Sequence, residues 1–211
     1  MKEQQAVLDF FSRTENLPLG LAVAEHMDRL REQMNTGFWH DLLERLGTFI
    51  DGRSLPMQIA ATEDRNTLGG IVGLHCILQP AQELYLRPMM EQQNLDGSWR
   101  IYFGLMWSAK PSPEHRALPA VLKLKEALLL AGFKNNENYL AWQWTTLHPR
   151  RSDFLLRYAQ QPEVLLNDAQ NFLQTLLLEQ RDLIAAANAE LQAAPRGLAG
   201  SLHQLRDELI G

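Results

Sequence analysis

The sequence has very little cysteine, and this limits the kinds of site that it can contain. Cys76 is the single cysteine among 211 residues, so neither a disulfide within the chain nor a cysteine-based zinc site can form. Because Cys76 lies inside an apolar run, we expect a buried and unreactive thiol. His-x-x-x-His pairs are also absent. His40 and Glu44 lie one helical turn apart, but two ligands do not make a metal site, so we expect no metal and no cofactor.

Long hydrophobic runs and the common catalytic motifs are missing as well. No run of eighteen apolar residues occurs, which predicts no contact with a membrane. The first residues, MKEQQA, lack the apolar core of a signal peptide, so we expect a cytoplasmic protein. Neither a Gly-x-Ser-x-Gly nucleophile elbow nor a Walker loop is present. Glu63 and Asp64, at the end of a predicted strand, are the remaining catalytic candidates, although acids there are more often plain turn residues.

Neither positive nor negative charge is in large excess, but the charged residues are unevenly distributed along the chain. The net charge is −5. Residues 1–99 contain eight Lys and Arg against fourteen Asp and Glu, residues 100–160 contain nine against four, and residues 161–211 contain three against seven. The acidic total argues against indiscriminate phosphate binding. The basic middle segment nevertheless leaves room for a local anion-binding surface, and ordinary surface variation is the alternative.

The spacing of apolar residues predicts an α+β fold, in which an antiparallel sheet of four to five strands is packed by long N-terminal and C-terminal helices. A stripe kept in phase from Val23 to Phe49 predicts one long helix that packs in the core. Residues 1–192 are expected to form a single domain, with 193–211 as a C-terminal helical extension. The predicted strands are 55–62, 69–78, 83–92, 98–109 and 139–146, and the predicted helices are 3–13, 18–49, 120–131, 152–158, 162–192 and 198–209.

The strand at 98–109 (SWRIYFGLMWSA) is aromatic, apolar and bounded by Gly97 and Pro111. It is interpreted as a central strand that is covered on both faces. Gly69, Gly70 and Gly73 lead into strand rather than helix, so they predict a bulge or a close backbone approach rather than a nucleotide-binding loop. His75, in the same strand, is expected to be a core or cross-strand residue.

Several short motifs together carry a family resemblance: Glu15-Asn16-Leu17-Pro18 before a helix, Phe38-Trp39 within it, Tyr102-Phe103-Gly104-Leu105 on a strand, Gly132-Phe133, Trp142-Gln143-Trp144 and a long closing helix. In this order they resemble the C-terminal region of bacterial PD-(D/E)XK nuclease-superfamily proteins of the phage-defence and restriction type. The resemblance covers roughly residues 1–190 and implies a region that lies downstream of a nuclease core.

The catalytic triplet of those nucleases is absent from this chain. It requires an acidic residue two positions before a lysine, so that the carboxylate holds a metal and the lysine positions water. None of the five lysines has Asp or Glu two residues before it. The resemblance therefore implies the non-catalytic part of such a protein, and no catalytic residue carries over.

Two binding functions from different classes follow from these patterns. The first is an accessory or regulatory domain that binds nucleic acid through residues 123–157, or that binds a partner subunit. Trp142 and Trp144 alternate on one strand face and could stack bases, although packing of the sheet also explains them. The cations assigned to this surface are Lys123, Lys125, Lys134, Arg150, Arg151 and Arg157.

The second function is an acidic protein-binding module, such as an immunity protein, an inhibitor or an assembly partner. The wide apolar stripe of the predicted helix at 162–192 favours it. That helix would then bind a protein partner or a second copy of the chain.

Overall fold

The computed structural model describes residues 2–64, 69–93, 97 and 99–194. It shows the predicted α+β fold, with seven helices and five strands within those residues. The helices are α1 (Lys2–Phe11), α2 (Leu17–Gly52), α3 (Pro113–Arg116), α4 (Pro119–Leu130), α5 (Ser152–Gln160), α6 (Pro162–Glu179) and α7 (Arg181–Ala193). The strands are β1 (Met57–Glu63), β2 (Ile71–Leu78), β3 (Leu86–Gln93), β4 (Arg100–Trp107) and β5 (Tyr139–Trp144).

The five strands form one antiparallel sheet in the order β1-β2-β3-β4-β5. Each strand therefore pairs with its neighbour in sequence, as the short turns between the first four predict. The β4–β5 connection is longer and contains α3 and α4. Gly132 directly follows the α4 C-cap with a φ of +88°, which fits the predicted glycine at the helix end.

Each helix that packs on the sheet lies against the same face. Alternate residues of β4, Ile101 and Leu105 among them, are fully buried on that face. Residues of the other parity, such as Tyr102 and Met106, are only half-buried. The prediction that this strand is covered on both faces is therefore wrong. Apart from Arg100 at the start of β4, both sets of residues are apolar, aromatic or glycine, so their alternation is hard to see in the sequence.

The helix α2 divides into an exposed and a buried half. No residue from 5 to 34 is buried, and Val23 and Leu30 of the predicted core stripe are exposed. Further along α2, Phe38, Trp39 and Leu42 are completely buried. The helix was predicted correctly, but its core packing holds only for its second half, because the first half extends beyond the sheet.

The predicted helix at 162–192 is two helices that are separated at Gln180. Leu165, Leu173 and Leu176 of α6 and Ile184 of α7 are buried in the core. The wide apolar stripe is therefore packed mainly inside the domain, and this packing does not support the prediction that the stripe binds a partner or a second copy. The predicted helix at 152–158 is α5, whose N-cap is Arg151 and forms no side-chain cap bond.

Several smaller expectations have clear outcomes. Cys76 is buried, and burial raises the pKa of its thiol to about 12. A Cβ on Gly73 would lie 2.7 Å from the Met90 carbonyl oxygen, so the predicted close backbone approach is confirmed. The described residues contain no helix long and apolar enough to cross a membrane. The predicted helix at 198–209 and most of the 193–211 extension lie outside the described residues.

Candidate nucleic-acid interface

One face of the sheet, here called the open face, is not covered by any helix of the described residues, and its side chains are organised in rows that cross the strands. The strand register places Thr62, Gly73, Glu91, Tyr102 and Trp144 in one row that crosses all five strands. Strands lie about 4.8 Å apart, so this row is roughly 19 Å long. The next row contains Ala60, His75, Met89, Gly104 and Trp142.

Two glycines allow the large side chains of the open face to lie flat. A Cβ on Gly73 would come within 2.6 Å of Cγ of Glu91, so the Glu91 side chain lies across Gly73. A Cβ on Gly104 would overlap the carbonyl oxygen of Ala141 and lie 2.8 Å from Cα of Trp142. These contacts are shorter than any that real Cβ atoms make, so both positions require glycine.

Four rings on β4 and β5, Tyr102, Tyr139, Trp142 and Trp144, form an aromatic cluster on the open face. The ring centroids of Trp142 and Trp144 are 5.3 Å apart, and those of Tyr102 and Trp144 are 5.6 Å apart. Both pairs meet edge to face, which is a favourable arrangement for aromatic rings. The prediction that the two tryptophans share one face is confirmed. Both indoles are half-buried, so each keeps part of its surface in solvent.

A cation lies over each of these tryptophans. The guanidinium carbon of Arg100 is 4.1 Å from the ring centroid of Trp144, and Nζ of Lys134 is 5.7 Å from that of Trp142. Lys134 is held there by a two-way backbone bridge, in which its N–H donates to the Trp142 carbonyl and the Trp142 N–H donates back. Cations at such distances are attracted to the ring face. The β5 side of the open face therefore combines aromatic surface with positive charge.

A carboxylate lies further inward, on β3. Oε2 of Glu91 accepts a hydrogen bond of 2.9 Å from the Tyr102 hydroxyl, and the Tyr139 hydroxyl lies 3.4 Å away. Oε1 is 3.5 Å from the Thr62 hydroxyl. Burial and the adjacent Glu91 carboxylate raise the pKa of Tyr102 above its ordinary value. Tyr102 therefore stays protonated and continues to donate to the carboxylate.

Positive charge also affects the histidines of this region. Burial lowers the pKa of His75, and the nearby Arg87 guanidinium lowers it further. Nδ1 of His75 lies 3.0 Å from the Thr62 hydroxyl. Burial likewise lowers the pKa of His148, and Arg100 and Arg151 contribute to that shift. Both imidazoles are therefore neutral at pH 7 and add no charge to the surface.

The structure brings together only part of the predicted nucleic-acid-binding set. Trp142, Trp144 and Lys134 share the open face. Arg150 lies near its end, where the guanidinium carbon is 5.6 Å from the Trp99 ring and Nη2 is 3.5 Å from the Asp28 carboxylate.

The remaining predicted cations lie apart from the aromatic cluster or are paired. Arg151 is in an ion pair with Asp153, and Arg157 in one with Asp168 of α6. Lys123 and Lys125 lie on α4, which packs in the helical layer.

Five residues of the open face were not selected from the sequence: Arg87, Glu91, Arg100, Tyr102 and Tyr139. A signal for two of them exists in β3, where Arg87 and Glu91 alternate with the buried Leu86 and Met90. Charged residues of one parity in a strand indicate a face that is not packed in the core. No sequence pattern shows that Tyr139 reaches Tyr102, because their hydroxyls meet only through the pairing of β4 with β5.

The described residues offer little support for catalysis. They contain no group of three or more His, Cys, Asp or Glu side chains that could hold a metal ion. Glu63 is exposed at the end of β1, where the pairing with β2 is irregular. His40 and Glu44 lie on the second half of α2. No family model, curated protein or solved structure matches the chain.

Proposed function

We propose that this chain is a non-catalytic domain that binds single-stranded nucleic acid on the open face of its sheet. The observation that carries the proposal is the pairing of Trp144 with Arg100 and of Trp142 with Lys134 on a face that no described helix covers. The cellular setting that we propose is the cytoplasm, in an accessory or regulatory role of the kind that the resemblance to defence-associated nucleases implies.

In this proposal the aromatic rings contact the bases and the cations contact the phosphates. Aromatic side chains bind single strands with little sequence preference, because every base has a face that can stack. Cations neutralise the phosphates and release counterions. An exposed sheet that carries aromatic rings is a known way to bind two or three unstacked bases, and a row of roughly 19 Å has room for that number.

Fluorescence anisotropy with labelled twelve-nucleotide single strands of DNA and RNA tests the proposal, with the matching duplexes for comparison. We expect single strands to bind more tightly than duplexes, because paired bases cannot stack on the aromatic cluster. The affinity should fall as salt increases. Absence of binding to any single strand at low salt would overturn the proposal.

Three variants locate the binding surface. Trp144→Ala removes a stacking ring and should weaken binding by about 1–3 kcal/mol. Arg100→Ala removes one phosphate contact and should lower the slope of log K against log salt by about 0.7. Lys123→Ala is the matched control, since it removes an exposed cation from the helical layer. An equal loss of affinity for Lys123→Ala and Arg100→Ala would contradict the assignment to the open face.

A specific observation also favours a second function, as a self-associating subunit. In α1 and the first half of α2, the side chains of Leu8, Leu19 and Leu21 are 61%, 56% and 63% exposed. Two copies of this helical arm (residues 2–34) could bury such side chains in a four-helix bundle. Light scattering should then give the mass of a dimer, and Leu8→Ser with Leu21→Ser should give a monomer. A monomeric unaltered protein would exclude this function.

A further inference from the structure

Glu91 is a carboxylate at the centre of the open face, on the middle strand of the sheet. Within the described residues, no Lys or Arg nitrogen lies within ion-pair distance of its oxygens. Its known partners are the hydroxyls of Tyr102, Tyr139 and Thr62. Partial burial of a carboxylate costs free energy unless hydrogen-bond donors satisfy its oxygens. Glu91 therefore retains the capacity to accept hydrogen bonds from a ligand.

The remaining acceptor capacity can be counted. A carboxylate has about four lone-pair sites. Tyr102 takes one on Oε2. The Tyr139 hydroxyl oxygen is 3.0 Å from the Tyr102 oxygen and 3.4 Å from Oε2 of Glu91. Because Tyr102 donates its own proton to Glu91, we assign the single Tyr139 proton to the shorter contact with Tyr102. Oε1 has only the long contact of 3.5 Å with Thr62. Both oxygens thus have a free site, while the tyrosine hydroxyls hold the group in one orientation.

The positions of the charges indicate how a single strand of nucleic acid would lie on the open face. Arg100 and Lys134 are beside the tryptophans of β5, whereas Glu91 is on β3, two strands further into the sheet. Arg87, the cation of β3 on this face, lies four residues from Glu91, with Nη2 3.2 Å from the Met106 sulfur. Phosphates are attracted to the cations and repelled by the carboxylate. The backbone would therefore follow the β5 side, and the bases would point inward across Tyr102 towards Glu91.

We infer that Glu91 reads the Watson–Crick edge of a base and gives the open face a preference for guanine. This inference rests on the proposed binding of single-stranded nucleic acid. Guanine presents two adjacent donors on that edge, N1–H and the N2 amino group, which match the two oxygens of a carboxylate. Adenine and cytosine each place a donor beside an acceptor, and uracil and thymine place one donor between two acceptors. Only guanine therefore offers a pair of donors.

The test uses the unaltered protein and seven-nucleotide strands of thymidine with one central guanosine, adenosine, cytidine or inosine. Anisotropy titrations should show guanosine bound roughly 5- to 150-fold more tightly than adenosine, the range expected for one bidentate base contact. Inosine lacks the N2 amino group and should lose most of this preference. 7-Deazaguanosine keeps both donors and should bind like guanosine.

The matched variants are Glu91→Gln and Glu63→Gln, which remove the same charge from the same sheet. Glu91→Gln should abolish the preference for guanosine while the all-thymidine strand binds at least as tightly as before. Glu63→Gln, on an exposed residue outside the network, should leave the preference intact. Thermal unfolding monitored by circular dichroism shows whether each variant is folded, and the inosine comparison needs no variant.

The outcomes separate the two proposals. If none of the strands binds, the proposed function itself fails. If all strands bind with equal affinity, or if adenosine is preferred, the proposed function stands and the role of Glu91 is overturned. The role of Glu91 is likewise overturned if 7-deazaguanosine binds like adenosine, because that result would place the contact on the opposite edge of the base.

Discussion

The two faces of the sheet belong to the same five strands but hold their side chains by different interactions. On the helix-covered face, Leu74, Met90 and Ile101 are completely buried by apolar neighbours. On the open face, Glu91 and Tyr102 are held by hydrogen bonds, and Trp144 by ring contacts and a cation. Burial of apolar area supplies most folding free energy. We conclude that the covered face stabilises the fold, while the open face leaves polar and aromatic groups accessible.

Replacing one tryptophan on each face should give the largest difference in stability between the two faces. Trp39→Ala empties a fully buried site of α2 and removes the hydrogen bond from Nε1 to Gln92, so we expect a loss of about 3–5 kcal/mol in the free energy of unfolding. Trp144→Ala should cost less than about 2 kcal/mol, since its site is already partly in solvent. Urea unfolding followed by circular dichroism measures both. Equal losses would contradict the distinction between the faces.

Gly104→Ala should have the next largest effect, since it acts on both faces at once. The added methyl overlaps the Ala141 carbonyl of β5, so β5 must move away from β4. We expect a loss of about 1–3 kcal/mol in the free energy of unfolding, as for other overpacked sites, together with weaker binding of single strands. Gly52→Ala is the control, because a Cβ there meets nothing within 4 Å. An unchanged stability for Gly104→Ala would show that the β4–β5 contact is looser than described.

Tyr102→Phe tests the hydrogen-bond network of the open face alone. The change removes the donor to Glu91 and keeps the ring in contact with Trp142 and Trp144. A hydrogen bond to a charged group contributes about 1.5–3 kcal/mol when fully buried. Here water can replace the lost donor, so we expect a loss of about 1 kcal/mol in urea unfolding. An unchanged free energy of unfolding for Tyr102→Phe would argue against the network.

The pH dependence of stability should be the smallest effect, and we expect it to come in part from His75 on the open face. Folding lowers the pKa of His75 and of His148, so near pH 6 the unfolded chain binds more protons than the folded one. Their contribution to stability is present above pH 6.5, the ordinary value for histidine, and is lost as the pH falls through the lower folded values. His75→Gln should make the decline between pH 6.5 and pH 5 shallower. A decline of unchanged slope would show that His75 is not one of its sources.

The sequence was sufficient to predict all five strands and most of the helices, but not which layer each would join. The meander, the long α2 and the shared face of Trp142 and Trp144 follow from local periodicity, which depends on neighbouring residues alone. The separation of α6 from α7 at Gln180 occurs without proline or glycine, so no local pattern indicates it. Lys123 and Arg157 were placed with the tryptophans because they are close in sequence, whereas packing puts them with the helices.

The network around Glu91 could not be predicted because it depends on the sheet register. Thr62, Glu91 and Tyr102 lie on three different strands and meet only when β1, β2, β3 and β4 pair in their observed alignment. A shift of one residue in any pair would move one of these side chains to the other face. Alternation within β3 indicates that Arg87 and Glu91 share a face, but it does not identify their partners.

The order of the strands has a consequence for how the protein folds. The strands β1 to β4 are joined by short connections, so their pairing requires little loss of chain entropy. The pairing of β5 with β4 must close the segment between Trp107 and Tyr139, which includes α3 and α4, and longer loops cost more entropy to close. We therefore expect the four-strand meander to form first and the open face to be completed last, when β5 brings its tryptophans against Tyr102.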